Sequence, residues 1–133
     1  MRFHSIIAVA VFAILVVGGL EKISHAAEKA ITKAKDGYTV GELYAEKDKL
    51  NGKKVIVRGK VVKFSGGIMG KNWIHLQDGS GKQGTNDITI TTDQTAATGD
   101  VVLATGNLVT NKDFGAGYKY DVIIEDATVK VEK

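Results

Sequence analysis

The run Asn72-Trp73-Ile74-His75-Leu76-Gln77-Asp78-Gly79-Ser80-Gly81 limits what this chain can fold into more than any other stretch. Ile74 and Leu76 alternate with Trp73, His75 and Gln77, which is the period of a half-buried strand with one apolar and one polar face. The strand then stops at Asp78-Gly79-Ser80-Gly81, residue types that suit a tight turn with positive φ. Trp73 falls on the polar side with His75 and Gln77. It is therefore expected on an exposed face where a small barrel presents a binding surface.

The same grammar recurs along the chain. Residues 53–64 are rich in valine and isoleucine, with Gly59 at a point where a barrel strand bends. Ser65-Gly66-Gly67 predicts a turn, and residues 68–77 the second strand, after a loop at Met69-Gly70-Lys71. Residues 87–92, 101–109 (interrupted by Gly106) and 118–131 make the third, fourth and fifth strands, with residues 111–117 as a loop. Five turn-delimited strands without long helical periods between them predict an all-β fold. The long first and last strands favour a five-stranded barrel over a sandwich. Ahead of them, Thr39 and Glu42 form a capping-box pattern, and Val40, Leu43 and Tyr44 follow at helical spacing. A short N-terminal helix is predicted over residues 40–49, closed by Leu50-Asn51-Gly52. Residues 93–98, between the third and fourth strands, have room only for a turn.

Arg2 and His4 precede an uncharged apolar run over residues 5–20, and Ser24-His25-Ala26-Ala27 follows. This is the pattern of a signal peptide over residues 1–26, cut after Ala26. The run is shorter than the roughly 20 apolar residues of a membrane-spanning helix. The expected organisation is a signal peptide at 1–26, a helical or flexible linker at 27–38 and the barrel at 39–133. The exported chain of 107 residues would be a single domain in the periplasm or outside the cell, with no membrane attachment after cleavage.

Composition removes several chemistries. The chain has no cysteine, so it has no disulfide, thiolate zinc site or haem attachment motif. Beyond residue 26 the only histidine is His75, which rules out a histidine-rich metal site. Glu125-Asp126 offers carboxylates, but no neighbouring loop supplies further ligands at a known spacing. Gly79-Ser80-Gly81-Lys82 lacks the phosphate-loop spacing, and no helix follows Gly115-Ala116-Gly117. His75 and Asp78 sit on a strand and its turn without converging, and no nucleophile has a base near it. The expectation is a non-enzymatic protein with no catalytic residue, metal or cofactor. A formal net charge of +3 is close to balance, so any attraction for a polyanion has to be local.

Val55-Ile56-Val57-Arg58-Gly59-Lys60-Val61 and Trp73-Ile74-His75-Leu76-Gln77-Asp78-Gly79-Ser80-Gly81 resemble the first two strands of OB-fold nucleic-acid-binding domains of the tRNA-anticodon type. The resemblance implies an OB-fold barrel over the strand-rich region. In that family the aromatic at the position of Trp73 stacks on a base; Gln77 stands where the synthetase members carry arginine, so one cationic contact is missing. An OB-fold ligand channel is flanked by the loops between strands 1 and 2 and strands 4 and 5. Here those loops carry Lys63 and Lys71, and Lys112, Phe114, Tyr118, Lys119 and Tyr120. Aromatic platforms interleaved with ammonium groups suit single-stranded nucleic acid. The candidate ligand-binding residues are therefore Trp73, His75, Gln77, Lys63, Lys71, Lys112, Phe114, Tyr118, Lys119 and Tyr120. Two readings stay open. One is an exported binder of single-stranded or extracellular DNA with low sequence specificity. The other is an interaction module for a protein, an envelope component or a small ligand. A separate alternative for the residues themselves has Trp73 covered by the N-terminal helix or the loop after the fourth strand, and the loop aromatics closing the ends of the barrel.

Overall fold

The computed structural model describes residues 30–133. The signal peptide expected over residues 1–26 lies outside them. The described chain opens with two short helices, α1 (Val40–Ala45) and α2 (Lys47–Leu50). Five strands follow: β1 (Lys54–Ile68), β2 (Lys71–Gln77), β3 (Ile88–Thr92), β4 (Val101–Asp113) and β5 (Lys119–Glu132). Their hydrogen-bonded order, β1-β2-β3-β5-β4, returns to β1 and closes the sheet into a barrel. Closure removes the free edges that an open sheet of this size would expose.

Closure depends on β1 serving two neighbours. Its first half pairs with β4 from Lys54 to Lys60, and its second half pairs with β2 from Lys60 onward. The changeover falls at Lys60, which pairs with both, and next to it an added Cβ at Gly59 would lie 3.1 Å from the Leu76 Cβ. β3 and β5 run parallel, and the other pairs are antiparallel. The interior is filled by alternate residues of every strand, including Val55, Val57, Ile74, Leu76, Ile88, Ile90, Leu108 and Ile124. Val40, Leu43 and Leu50 from the helices join the same cluster. Each such side chain contributes about 1.5–3 kcal/mol on leaving water.

α1 is short, so its start has to be well capped. The Thr39 hydroxyl accepts from the Glu42 N–H and the Glu42 carboxylate accepts from the Thr39 N–H, so the predicted capping box is present. The next two donors find partners in the turn after β2. Val40 N–H donates to Asp78 at 2.9 Å, and Gly41 N–H donates to the Ser80 hydroxyl at 2.8 Å. Every N–H from Thr39 to Glu42 therefore ends on a side chain, and half of these partners come from the Asp-Gly-Ser-Gly turn.

Three local expectations change. Ser65-Gly66-Gly67 is not the turn: β1 runs through it with a register irregularity, and Met69-Gly70 makes the hairpin. Both turn residues have positive φ, 54° and 75°, as a two-residue hairpin of matching twist requires. β4 extends four residues further than expected, to Asp113, which shortens the following loop to a tip at residues 114–118. Of the predicted linker, residues 31–38 contain no helix and lie against β1. Ala34 is buried, Tyr38 bridges Val57, and Arg58 donates to the Thr32 carbonyl.

Candidate ligand-binding face

Cross-strand partners share a face, so register places the candidate side chains. Lys71, Trp73, His75 and Gln77 lie on the outer face of β2, with Ile74 and Leu76 inside the barrel. Ser65 and Thr91 flank Trp73, and Lys63 and Thr89 flank His75. The alternation read from the sequence is therefore correct from Trp73 to Gln77.

The exposure expected for Trp73 is not. Only 4% of it reaches solvent. The β4–β5 hairpin folds over it and brings up three rings. Phe114 meets the indole edge-on, with centroids 5.2 Å apart and planes at 72°. Tyr118 and Tyr120 lie tilted at 6.0 Å and 5.8 Å. The indole N–H donates to the Ile68 carbonyl at 2.9 Å, so the polar end of the side chain is satisfied within the β1–β2 hairpin. Burial with a satisfied N–H is the stable arrangement for a tryptophan. Trp73 is thus not an open platform: the cover comes from the hairpin after the fourth strand.

The lysines divide into three kinds. Lys63 and Lys71 share Trp73's face, and neither forms an ion pair among the described residues. Lys112 is committed: its ammonium lies 3.3 Å from Glu125 Oε2 and 5.2 Å from the Phe114 ring centre. That carboxylate oxygen is buried without a hydrogen-bond partner, so the Lys112 charge is what compensates it. Lys119 pairs with Asp113 across the hairpin, on the opposite side from the Lys112–Tyr120 pair. Lys119 therefore does not join the cluster around Trp73. An open groove of about 420 Å³ runs along the hairpin, lined by Asn111, Lys112, Asp113, Lys119, Tyr120 and Asp121, with charges of both signs.

His75 and Gln77 have a shared partner that the sequence reading missed. Asp87, at the foot of β3, holds His75 Nδ1 at 2.9 Å with one oxygen and accepts from the Gln77 amide at 3.1 Å with the other. The only sequence signal is its place one residue ahead of β3, opposite the end of β2. Tyr44 of α1 donates to the Asp87 carbonyl at 2.6 Å. Burial pushes the Tyr44 phenol up to about 12, helped by the Asp87 and Asp121 carboxylates. Burial also raises Tyr120, with Tyr118 beside it. Asp78, paired with His75 in the sequence reading only to be set aside, is occupied in capping α1. Among the described residues no three histidine, aspartate or glutamate side chains come together as metal ligands.

The face is thus an aromatic cluster at the hairpin tips, two uncommitted lysines beside it, and a His–Asp–Gln network further along β2. No protein-family model matches the chain, and no curated protein is significantly similar to it.

Proposed function

We propose that the chain is an exported, non-enzymatic OB-fold binding protein whose ligand is single-stranded nucleic acid, bound with low sequence specificity. The fold assignment is supported by topology. β1, β2 and β3 are consecutive neighbours and β4 returns beside β1, which is a Greek-key order. A five-stranded Greek-key barrel is the plan of an OB fold. The observation that carries the ligand is the gathering of Trp73, Phe114, Tyr118 and Tyr120 at the two hairpin tips, beside the uncommitted Lys63 and Lys71. Rings supply sequence-tolerant stacking and ammonium groups supply phosphate attraction. Export is supported by the apolar N-terminal pattern alone.

A titration of the folded chain with a mixed-sequence single strand across a range of salt tests this. Binding should weaken as salt rises, and replacing both Lys63 and Lys71 with alanine should flatten the logarithmic slope by about 1.4, at roughly 0.7 per phosphate contact. A folded chain that binds no single strand at low salt would refute the reading. The second reading, a module for a protein, envelope component or small ligand, is favoured by one feature. Met69 (46% exposed) and Tyr118 (39% exposed) present apolar surface at the tips of the two hairpins. Salt-independent capture of a non-nucleic ligand, abolished by Met69→Ser, would select it.

A further inference from the structure

We infer that the β4–β5 tip is a lid over Trp73, and that the site beneath it takes a planar aromatic ring such as a nucleobase when the tip lifts. This rests on the binding function proposed above and assigns the ring-recognition step to one residue.

Three observations carry it. First, Trp73 is positioned without the tip. Its N–H is held by the Ile68 carbonyl, and its backbone is paired with Ser65 on one side and Thr91 on the other. Lifting the tip would take Phe114 and Tyr118 off an indole that stays in place, with Tyr120 of β5 still at its side.

Second, the tip is bonded only to itself. Phe114 N–H donates to the Tyr118 carbonyl, Tyr118 N–H to the Gly115 carbonyl, and Gly115 N–H to the Asp113 carboxylate. Among the described residues, no hydrogen bond joins residues 114–118 to the barrel beyond the hairpin itself. Side-chain contacts hold the tip down: Phe114 and Tyr118 against Trp73, and Phe114 against the Tyr120 ring and the Lys112 ammonium. Lifting it therefore leaves no buried backbone group unpaired, which is the usual barrier to moving a loop.

Third, the tip's backbone is unusual. Gly115, Ala116 and Gly117 all have positive φ (86°, 55° and 87°), and Ala116 is a residue that adopts such a conformation at a cost. The covering rings also meet the indole edge-on or tilted, at 72°, 43° and 31°, so none is stacked parallel on it. A base stacked face to face would replace the Phe114 and Tyr118 contacts, and Lys63 and Lys71 on the same face would meet its phosphates.

The apparent affinity of such a site is the intrinsic affinity reduced by the closed fraction. Removing covering rings should therefore tighten binding, against the usual result of deleting aromatic residues from a binding surface. The experiment compares the natural chain, Tyr118→Ala and the double variant Phe114→Ala/Tyr118→Ala. Binding of a short labelled single strand is read by anisotropy, exposure of Trp73 by its emission and by acrylamide quenching, and folding by thermal melting. Each aromatic contact with Trp73 holds the lid by about two- to tenfold in the closing equilibrium. The double variant should show a red-shifted, quenchable tryptophan and bind at least several-fold tighter, the strand quenching the emission. Tyr118→Ala, at a half-exposed ring, should move the same way by less.

Weaker binding by the variants, or tryptophan emission that ignores the strand, overturns the lid while leaving nucleic-acid binding intact. Absence of an anisotropy change in every folded chain overturns the binding function, and the ring site with it. Binding by the double variant alone supports a lid that is shut in the natural chain.

Discussion

Asp78→Ala should destabilise this protein more than any other single removal of a turn side chain. In the native barrel the Asp78 carboxylate accepts the Val40 N–H at 2.9 Å and both the N–H and hydroxyl of Ser80. Ser80, held in that way, accepts the Gly41 N–H at 2.8 Å. Alanine leaves the Val40 N–H without its partner and frees Ser80 to rotate away from Gly41. Loss of a helix cap costs about 1 kcal/mol, and stranding a donor beside the core costs about 1–3 kcal/mol more. Val40 and Leu43 are fully buried on this same helix, so the loss falls on the core and not on a fraying end. A total of about 2–4 kcal/mol lowers the melting temperature of a domain this size by roughly 10–30 °C. Circular dichroism melts of Asp78→Ala, Asp78→Asn and the exposed control Asp93→Ala provide the assay. Asparagine keeps one acceptor and should recover about half of the loss, while Asp93→Ala should stay within about 0.5 kcal/mol of the natural chain. An Asp78→Ala protein melting within about 1 °C of the natural one would refute the capping account.

Gly81→Ala should cost at least about 3 kcal/mol, because its Cβ would lie 2.2 Å from the Thr85 carbonyl oxygen at a φ of +81°. Gly79→Ala, with φ +86° and nothing within 4 Å, should cost only the left-handed strain of about 1–2 kcal/mol; melts of the pair give the comparison. The fold raises the Tyr44 phenol from its ordinary 10.0 to about 12, so stability should be complete below pH 10 and fall as pH rises through that interval. Tyr44→Phe should abolish that alkaline loss, as read by urea midpoints and tyrosinate absorbance. The Arg58 guanidinium holds the Glu132 carboxylate below its ordinary 4.5, at an Nε–Oε1 distance of 2.6 Å. Its contribution is present above pH 4.5 and is lost as pH falls through the lowered value, so the acid limb of the urea midpoint should be shallower in Glu132→Gln.

The elements that were legible in the sequence are those governed by local periodicity. Alternation in Trp73–Gln77 assigned every side chain to its correct side of β2, and the Thr39–Glu42 pair marked the start of α1 to the residue. What was not legible is set by partners distant in the chain. Asp78 reads as a turn former, but its energetic role appears only when α1, 38 residues earlier, docks on it. The three small residues at 65–67 read as a turn but lie within β1, while the loop read at Met69-Gly70-Lys71 is where the hairpin turns. The hairpin chose the two-residue turn whose twist matches its strands. Asp87 went unnoticed because its link to His75 spans two strands and depends on register.

Trp73 shows why a site is harder to read than a fold. Alternation determines the side of the sheet on which a residue lies, but not whether that side faces water. The outer face of β2 is roofed because β4 and β5 continue past the barrel wall and return Phe114, Tyr118 and Tyr120 over it. The residues chosen as ligand platforms are thus the residues that cover one another, and the two roles draw on one chemistry. A ring that stacks on a base stacks equally on a neighbouring ring. A tip held over Trp73 by side-chain contacts, without a hydrogen bond to the barrel wall among the described residues, is therefore the arrangement in which a ligand ring competes with the protein's own. Whether this face is a binding site or a second small core turns on the free energy that holds residues 114–118 against Trp73. Acrylamide quenching of the single tryptophan measures that quantity directly.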